Sequence, residues 1–276
     1  MKFSKEAPVK IVMLGAGGTG GHIAPHLYRL LYALNRQSDP ARSVRFVIVD
    51  GDVVEAKNLI RQNFIHADLG ENKAKVLAER YSSVFGLETE YVPEFIEDEE
   101  KLLNLVTPLR WQIRNRYVSS TDFVSGRALE PVYMTELVIL IGAVDNNRYR
   151  ALCHEVFHKI DTGLVYIDSG NGEHTGQVVC GIRRNGRTYY KPIGEVYPDV
   201  LADTDKFPTE LSCAEASVSA PQSIVANIMA ATVVVSYIYN ILILGSIEVR
   251  SVTFSTRTVN LKPDIPHKRK RKSLAA

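Results

Sequence analysis

The chain has 276 residues, of which 45% are hydrophobic and 23% charged, and its formal net charge is +2. This length suits one large domain or two small ones, and the composition is that of an ordinary globular protein. So small a net charge does not by itself indicate a nucleic-acid partner. The most apolar stretch, residues 226–244, contains Asn227, Ser236 and Asn240. We therefore interpret it as a buried core helix and expect no membrane span.

The beginning of the chain, MKFSKEAPVKIVMLG, lacks the apolar core and cleavage site of a signal peptide. The three cysteines, Cys153, Cys180 and Cys213, form no C-x-x-C pair, which argues against a zinc site built from cysteines. We expect a reduced, cytoplasmic protein.

Apolar runs and helical patterns alternate along the chain. Strands are predicted at about residues 10–15, 44–50, 87–95, 135–145, 163–170, 175–182 and 247–256. Helices are predicted at about residues 20–35, 70–86, 97–106, 146–159 and 223–244. This alternation predicts a Rossmann-like, doubly wound α/β fold with a mainly parallel sheet, right-handed crossovers and a later antiparallel portion.

We predict a single domain over residues 1–263, with an irregular insertion at about 97–131 and a crossover loop at about 185–215. Within the insertion, the polar segment RNRYVSSTDFVSGRALEP is predicted to be a loop. The tail, residues 264–276, contains five consecutive basic residues, 268–272. Such a run either docks on an acidic partner or is solvated and disordered, and we favour the second interpretation.

The segment GAGGTG follows the first predicted strand and contains Gly15, Gly17, Gly18 and Gly20. Glycines permit a tight turn and a close approach to a phosphate, which the N-terminus of the following helix attracts. The next acidic residue that could bind a ribose is Asp50, and it lies farther on than the roughly 20 residues typical of NAD enzymes. The motif therefore favours a nucleotide that need not be NAD, although a tight turn without a ligand would show the same pattern.

The segment GDVVEAKNLIRQ, residues 51–62, follows the second predicted strand and is rich in charged and amide side chains. Lys57 and Arg61 supply positive charge, Asn58 and Gln62 supply amide donors, and Lys73 follows at the start of the next helix. This mixture suits a triphosphate better than a nicotinamide ring, which needs an apolar slot. The alternative is a solvated helical turn with incidental charges.

Asp145 is the last residue of the strand predicted over 135–145, and Asn146 follows it. Both lie at the carboxyl edge where open α/β sheets bind ligands. A carboxylate that faces phosphates is a natural magnesium ligand, and either residue could also cap the next helix. We favour magnesium binding for Asp145.

In this order and spacing, the motifs resemble those of the ThiF/MoeB family, the core shared with ubiquitin-activating enzymes. The family pattern is G-x-G-G-x-G, D-x-D-x-V-x-x-S-N-L-x-R-Q, G-x-x-K-A and D-N-x-x-x-R. The matching residues are Gly15, Gly17, Gly18, Gly20, Asp50, Asp52, Asn58, Arg61, Gln62, Gly70, Lys73, Asp145, Asn146 and Arg150. Lys57 stands where the family has Ser. The resemblance spans roughly residues 9–94 and 136–255.

The resemblance implies ATP- and Mg²⁺-dependent adenylation of the C-terminal glycine carboxylate of a ubiquitin-like or sulfur-carrier protein. By motif, Asp50 would bind the ribose and Asp145 would bind the metal. Arg61 and Lys73 would act as catalytic residues together with Asp145. The remaining residues implied in nucleotide binding are Gly15, Gly17, Gly18, Gly20, Asp52, Lys57, Asn58, Gln62, Asn146 and Arg150. The resemblance also implies a homodimer and conjugating or deconjugating enzymes as further partners.

Cys213 lies in LSCAEASVSAP, which resembles the family segment C-x-x-A-G-V-x-x-P. Some members carry a cysteine there that forms a covalent link to the activated partner, as a thioester or an acyl-persulfide. A small residue without a catalytic role, close to a helix start, would fit the same position.

Three other interpretations stay open. The chain could activate a small-molecule or tRNA-linked carboxylate, which the basic tail mildly favours. It could be a nucleotide-binding scaffold without turnover, although such scaffolds usually lose the cations and the acid that are present here as Arg61, Lys73 and Asp145. An NAD-dependent dehydrogenase would explain GAGGTG but not NLIRQ.

Overall fold

The structure is a computed structural model that describes residues 1–37, 42–118, 128–202, 205–210 and 222–266. In chain order, its strands are β1 (Val9–Leu14), β2 (Val44–Val49), β3 (Thr89–Val92), β4 (Arg110–Val118), β5 (Ala128–Thr135), β6 (Leu137–Gly142), β7 (Gly163–Asn171), β8 (Thr175–Arg184), β9 (Arg187–Tyr190), β10 (Ser251–Ser255) and β11 (Asn260–Asp264). Its α-helices are α1 (Gly18–Gln37), α2 (Lys73–Phe85), α3 (Glu99–Val106), α4 (Asn147–Lys159), α5 (Ile193–Val196), α6 (Asp199–Ala202) and α7 (Ile224–Tyr239).

Within the described residues, nine strands form one sheet in the order β11-β10-β8-β7-β6-β1-β2-β3, with β9 paired to β8. The strands from β3 to β7 in this order pair in parallel, whereas β8, β9, β10 and β11 are antiparallel to their neighbours. The predicted fold class, mainly parallel with a later antiparallel portion, is confirmed.

Both faces of the parallel strands are covered by helices, which explains why their sequences are almost continuously apolar. In β1, Ile11 and Met13 belong to the core shared with α1, α2 and α7. Val12 and Leu14, which alternate with them, belong to the core shared with α3 and α4. The sheet is therefore held between two helical layers, and its carboxyl edge stays open for the loops that follow β1, β2 and β6.

The predicted loop within the insertion is corrected by the structure. Residues 110–118 and 128–135 form the antiparallel pair β4–β5, in which Arg110 pairs with Thr135 and Gln112 with Tyr133. This hairpin is separate from the main sheet, and its polar sequence carried no clear apolar run. Sequence patterning therefore failed where backbone pairing alone defines the strands.

The crossover stretch is less irregular than predicted, because it contains β9, α5, α6 and the 3₁₀ helix Pro208–Glu210. β11 also lacks a sequence counterpart among the predicted strands, since its residues are exposed and it lies at the sheet edge. Residues 267–276, most of the predicted basic tail, lie outside the described residues.

The long apolar segment forms α7 and continues as a π-helical turn, Asn240–Leu244. Among the described residues, this continuous helix, Ile224–Leu244, is the one helix that is long and apolar enough, by length and composition alone, to cross a membrane. Half of its most apolar stretch is buried inside the fold, where α7 packs against α1 and the sheet.

Candidate active site

A cavity of about 760 Å³ opens at the carboxyl edge of the sheet, where β1, β2 and β6 end side by side. Ligands of open α/β sheets bind at this edge, and the volume lies in the range of small-molecule sites. The predicted nucleotide-binding residues that line it are Gly15, Gly17, Gly18, Asp50, Asp52, Lys57, Asn58, Arg61, Gln62, Lys73, Asp145, Asn146 and Arg150. Residues that are far apart in the sequence thus meet as the motifs predicted.

The glycine loop joins β1 to α1 on one side of this cavity. Gly15 has a φ of 94°, in the left-handed region that favours glycine. A Cβ at Gly20 would lie 2.0 Å from the carbonyl oxygen of Gly15, so the turn requires glycine at 20 although that residue does not line the cavity. Because α1 begins at Gly18, the free N–H groups and positive dipole end of a long helix lie at the cavity and favour an anion.

Asp50 follows β2 and ties the glycine loop to the neighbouring loop. Its carboxylate accepts hydrogen bonds from the backbone N–H groups of Ala16, at 2.6 Å, and Asp52, at 2.8 Å. Burial raises the pKa of Asp50 to about 6, and the positive charge of Lys73 opposes that rise. Each carboxylate oxygen has a second lone pair, so a ribose hydroxyl can still be accepted, and the ribose contact stays a prediction.

The two predicted lysines occupy different environments. Lys73 is buried at the start of α2, and its Nζ lies 2.8 Å from Oδ2 of Asp52. An ammonium group has three donors, so Lys73 keeps donors for a ligand in the cavity. Lys57 pairs with Glu55 at 2.6 Å, and 67% of its side chain is exposed. The structure therefore places Lys73 as the buried cation and Lys57 at the solvent edge.

Asn58 and Gln62 are both buried beside the cavity. Oδ1 of Asn58 accepts the backbone N–H of Glu55 at 2.8 Å, which fixes the 3₁₀ helix Ala56–Ile60. Oε1 of Gln62 is buried and has no hydrogen-bond partner among the described residues. Since an unpaired buried acceptor costs free energy, Gln62 fits a cavity that receives a ligand with a donor group.

Asn146 caps the helix that follows β6. Its Oδ1 accepts the backbone N–H of Tyr149 at 3.2 Å, and its Nδ2 donates to the carbonyl oxygen of Lys206 at 2.7 Å. The cap alternative considered for this pair of residues thus applies to Asn146, while the neighbouring Asp145 keeps its carboxylate at the cavity.

Arg150 is buried behind the loop that carries Asp145. It donates to Oδ1 of Asp168 at 3.1 Å, to Oδ1 of Asn147 at 2.7 Å and to the carbonyl oxygen of Val144 at 2.8 Å. These contacts fix the loop between β6 and α4. The nucleotide contact of Arg150 stays a prediction. By fixing this loop, Arg150 also positions Asp145, which the loop carries.

A family model for the ThiF family matches residues 4–274. The chain belongs to the ThiF family. This confirms the resemblance drawn from the sequence motifs, and the match spans nearly the whole chain.

Solved structures similar to this ThiF-family chain share its fold at low sequence identity. The crystal structure of PaaA has 17% identity and a TM-score of 0.58, and the match covers 95% of this chain and 65% of that one. The microcin C7 biosynthetic enzyme MccB in complex with N-formylated MccA has 14% identity and a TM-score of 0.62, with the same coverage. E. coli MccB with ATP has 14% identity and a TM-score of 0.56, with coverage of 95% and 64%.

This ThiF-family chain therefore spans just under two thirds of the length of those structures. Among curated proteins, none matches its sequence.

Several cavity residues of this ThiF-family chain were not predicted. They include the polar residues Thr19, Ser169, Asn171 and Gln222 and the apolar or aromatic residues Phe95, Ile96, Tyr149 and Pro208. Asn227, a polar residue in an apolar helix, offered a signal for two of them, because it is fully buried and contacts Thr19 and Gln222. The apolar residues gave no signal, because their types also occur throughout the core.

The described cysteines do not supply a nucleophile. Cys153 and Cys180 are both buried, and burial raises the pKa of Cys153 to about 12 and that of Cys180 well above its ordinary value. Cys213 lies outside the described residues, so its covalent role stays a prediction.

Proposed function

We propose that this chain catalyses the ATP- and Mg²⁺-dependent adenylation of the C-terminal carboxylate of a ubiquitin-like or sulfur-carrier protein. One observation carries the proposal: a single cavity combines a glycine loop at a helix N-terminus with two cations, Arg61 and Lys73, and the carboxylate of Asp145. Membership of the ThiF family supports the adenylation chemistry. The similar structures of MccB with ATP and with N-formylated MccA support a site that serves a nucleotide and a second molecule.

The proposed reaction needs positioning and charge neutralisation more than proton transfer. A carboxylate oxygen of the partner attacks the α-phosphorus of ATP, a new O–P bond forms, and the bond to the bridging oxygen breaks as pyrophosphate leaves. A C-terminal carboxylate is already ionised near neutral pH, so no general base is required. Arg61, Lys73 and the N-terminus of α1 supply positive charge where the negative phosphates would lie.

The residues at the cavity fit a magnesium ion bound together with phosphate oxygens. The described residues contain no cluster of three or more His, Cys, Asp or Glu side chains that could hold a metal alone. Magnesium in nucleotide sites is usually bound by one or two carboxylates and by the phosphates themselves. Asp145 supplies such a carboxylate, and the ion would neutralise charge on the leaving pyrophosphate.

Two further features belong to the proposal. Attack of the Cys213 thiolate on the acyl-adenylate would break the acyl–phosphate bond, release AMP and form a thioester. In sulfur transfer, Cys213 would first receive a persulfide sulfur from a protein persulfide donor, which is left as a thiol. Attack by that outer sulfur would then release AMP and form the acyl-persulfide. Cys213→Ala should remove a thiol-sensitive adduct and leave adenylation unchanged.

We also propose that the protein is a cytoplasmic homodimer whose product is the substrate of a conjugating enzyme.

ATP–pyrophosphate exchange tests the adenylation step directly. We expect exchange in the presence of a ubiquitin-fold protein that ends in glycine, and none with the same protein lacking its last glycine. Asp145→Ala should abolish the exchange, and exchange that persists in this variant would remove Asp145 from the metal role. Exchange with a small carboxylate, or with a tRNA that carries a free carboxylate on a modified base, would instead favour the alternative substrates. ATP binding without any exchange would favour a scaffold.

A further inference from the structure

Gln222 links the two halves of the cavity. Arg61 lies in the segment between β2 and α2, and its Nη1 donates to Oε1 of Gln222 at 2.8 Å. Nε2 of Gln222 donates to Oδ2 of Asp145, which follows β6, at 3.2 Å. β2 and β6 lie on opposite sides of β1 in the sheet. The amide of Gln222 therefore connects the segments that follow these two strands, across the glycine loop that follows β1.

The amide of Gln222 is held from behind by a buried residue of α7. Nδ2 of Asn227, which is fully buried, donates to Oε1 of Gln222 at 3.2 Å and to Oγ1 of Thr19 at 3.2 Å. Thr19 belongs to the first turn of α1 and donates to Oδ1 of Asn171 at 3.0 Å. The glycine-loop helix, α7 and the amide are thus joined in one polar network, so Gln222 does not lie there as an incidental surface contact.

We infer that Gln222 is a positioning residue for carboxylate adenylation, because it sets the orientation of Arg61 relative to Asp145. The inference rests on the proposed function. An amide can accept from a guanidinium and donate to a carboxylate at the same time, whereas a carboxylate can only accept and a leucine can do neither. Donation to Oδ2 also leaves Oδ1 of Asp145 for a metal ion, while Arg61 keeps donors for the phosphates.

The decisive experiment measures ATP binding to the full-length protein by calorimetry, at a series of Mg²⁺ concentrations. We expect Gln222→Leu to weaken ATP binding by about tenfold at saturating Mg²⁺, because two oriented groups lose their common partner. The same substitution should weaken binding by less than about twofold in an Asp145→Asn background, since residues that act through one another are not additive. Equal losses in both backgrounds would overturn the inference.

A second variant separates the two contacts of the amide. Gln222→Glu keeps an acceptor for Arg61, loses the donor to Asp145 and adds a negative charge next to it. We expect weak ATP binding at low Mg²⁺ that recovers as Mg²⁺ rises, because the cation offsets the repulsion between carboxylates and phosphates. An affinity that follows the wild-type Mg²⁺ dependence would contradict the positioning role.

Ser223→Ala is the matched control for a merely structural effect. Ser223 caps α7 through its contact with the N–H of Ala226 at 3.2 Å and does not contact Arg61 or Asp145 in any described hydrogen bond. Loss of the Ser223 hydroxyl should lower Tm, because the helix cap is removed, and should change ATP affinity by less than about twofold. If the wild type binds no ATP, the proposed function and this inference both fail; if it binds ATP and Gln222→Leu binds equally well, only the inference fails.

Discussion

The buried pair of Arg150 and Asp168 should contribute strongly to stability. Asp168 is 1% exposed, and its two oxygens accept from Nε of Arg150 at 3.1 Å and from the hydroxyl of Tyr166 at 2.7 Å. Asp168→Ala would leave a buried guanidinium without its charge partner and a buried hydroxyl without its acceptor. Breaking a buried ion pair in this way costs about 3–5 kcal/mol.

Chemical denaturation of wild type and Asp168→Ala measures this cost as a change in the free energy of unfolding. The matched control is Asp264→Ala, because Asp264 pairs with Arg250 at 2.9 Å while the two side chains are 51% and 45% exposed. An ion pair exposed on both sides contributes only about 0–1 kcal/mol. We therefore expect a lower midpoint for Asp168→Ala and a nearly unchanged one for Asp264→Ala.

Two results would refute this reasoning. One is a loss for Asp168→Ala that is no larger than the loss for Asp264→Ala. The other is simple additivity in the double variant Arg150→Ala/Asp168→Ala, because removing the second charge also removes the unpaired one. The double variant should lose less stability than the sum of the two single variants.

Two further predictions concern the loops at the cavity. Because the pKa of Asp50 rises from 3.8 to about 6 on folding, the folded chain retains a proton that the unfolded chain loses between these values. Stability should fall by up to about 3 kcal/mol as pH rises from about 4 to about 6, and unfolding of Asp50→Asn over this range should lack that decline. Gly20→Ala would place its Cβ 2.0 Å from a backbone oxygen, whereas a Cβ at Gly172 meets nothing within 4 Å. Gly20→Ala should weaken ATP binding by at least about tenfold and Gly172→Ala should not; equal binding by both variants would show that the loop tolerates a side chain.

The parallel part of the fold could be predicted because burial on both faces selects apolar, β-branched runs. β1 and β6 show this clearly, with nearly every residue buried. β11 and the β4–β5 hairpin could not be predicted in the same way. These strands are defined by backbone pairing. Every residue of β11 is exposed, and a strand exposed to solvent needs no apolar pattern.

The loops of the site could be predicted for a related reason. Parallel strands end at the same edge, so the residues directly after β1, β2 and β6 must meet, whatever the length of chain between them. This places Gly15, Asp50 and Asp145 around one cavity. The partner of each side chain does not follow from strand order, which is why the structure was needed to show that Asn146 forms the helix cap and which groups Arg150 contacts.

Gln222 and Asn227 show where sequence reasoning ends. Asn227 interrupts an apolar helix, and burying an amide in such a helix costs free energy unless the amide is hydrogen-bonded. That cost indicates a partner but cannot say which one, since the partners Thr19 and Gln222 lie on different segments. Only the packing of α7 against the glycine-loop helix brings Asn227 under Gln222, and only that placement lets one glutamine contact both Arg61 and Asp145. Gln222 lies two residues before the first residue of α7 and Asn227 lies in its first turn, so the beginning of this helix holds the amide that contacts the two charged groups.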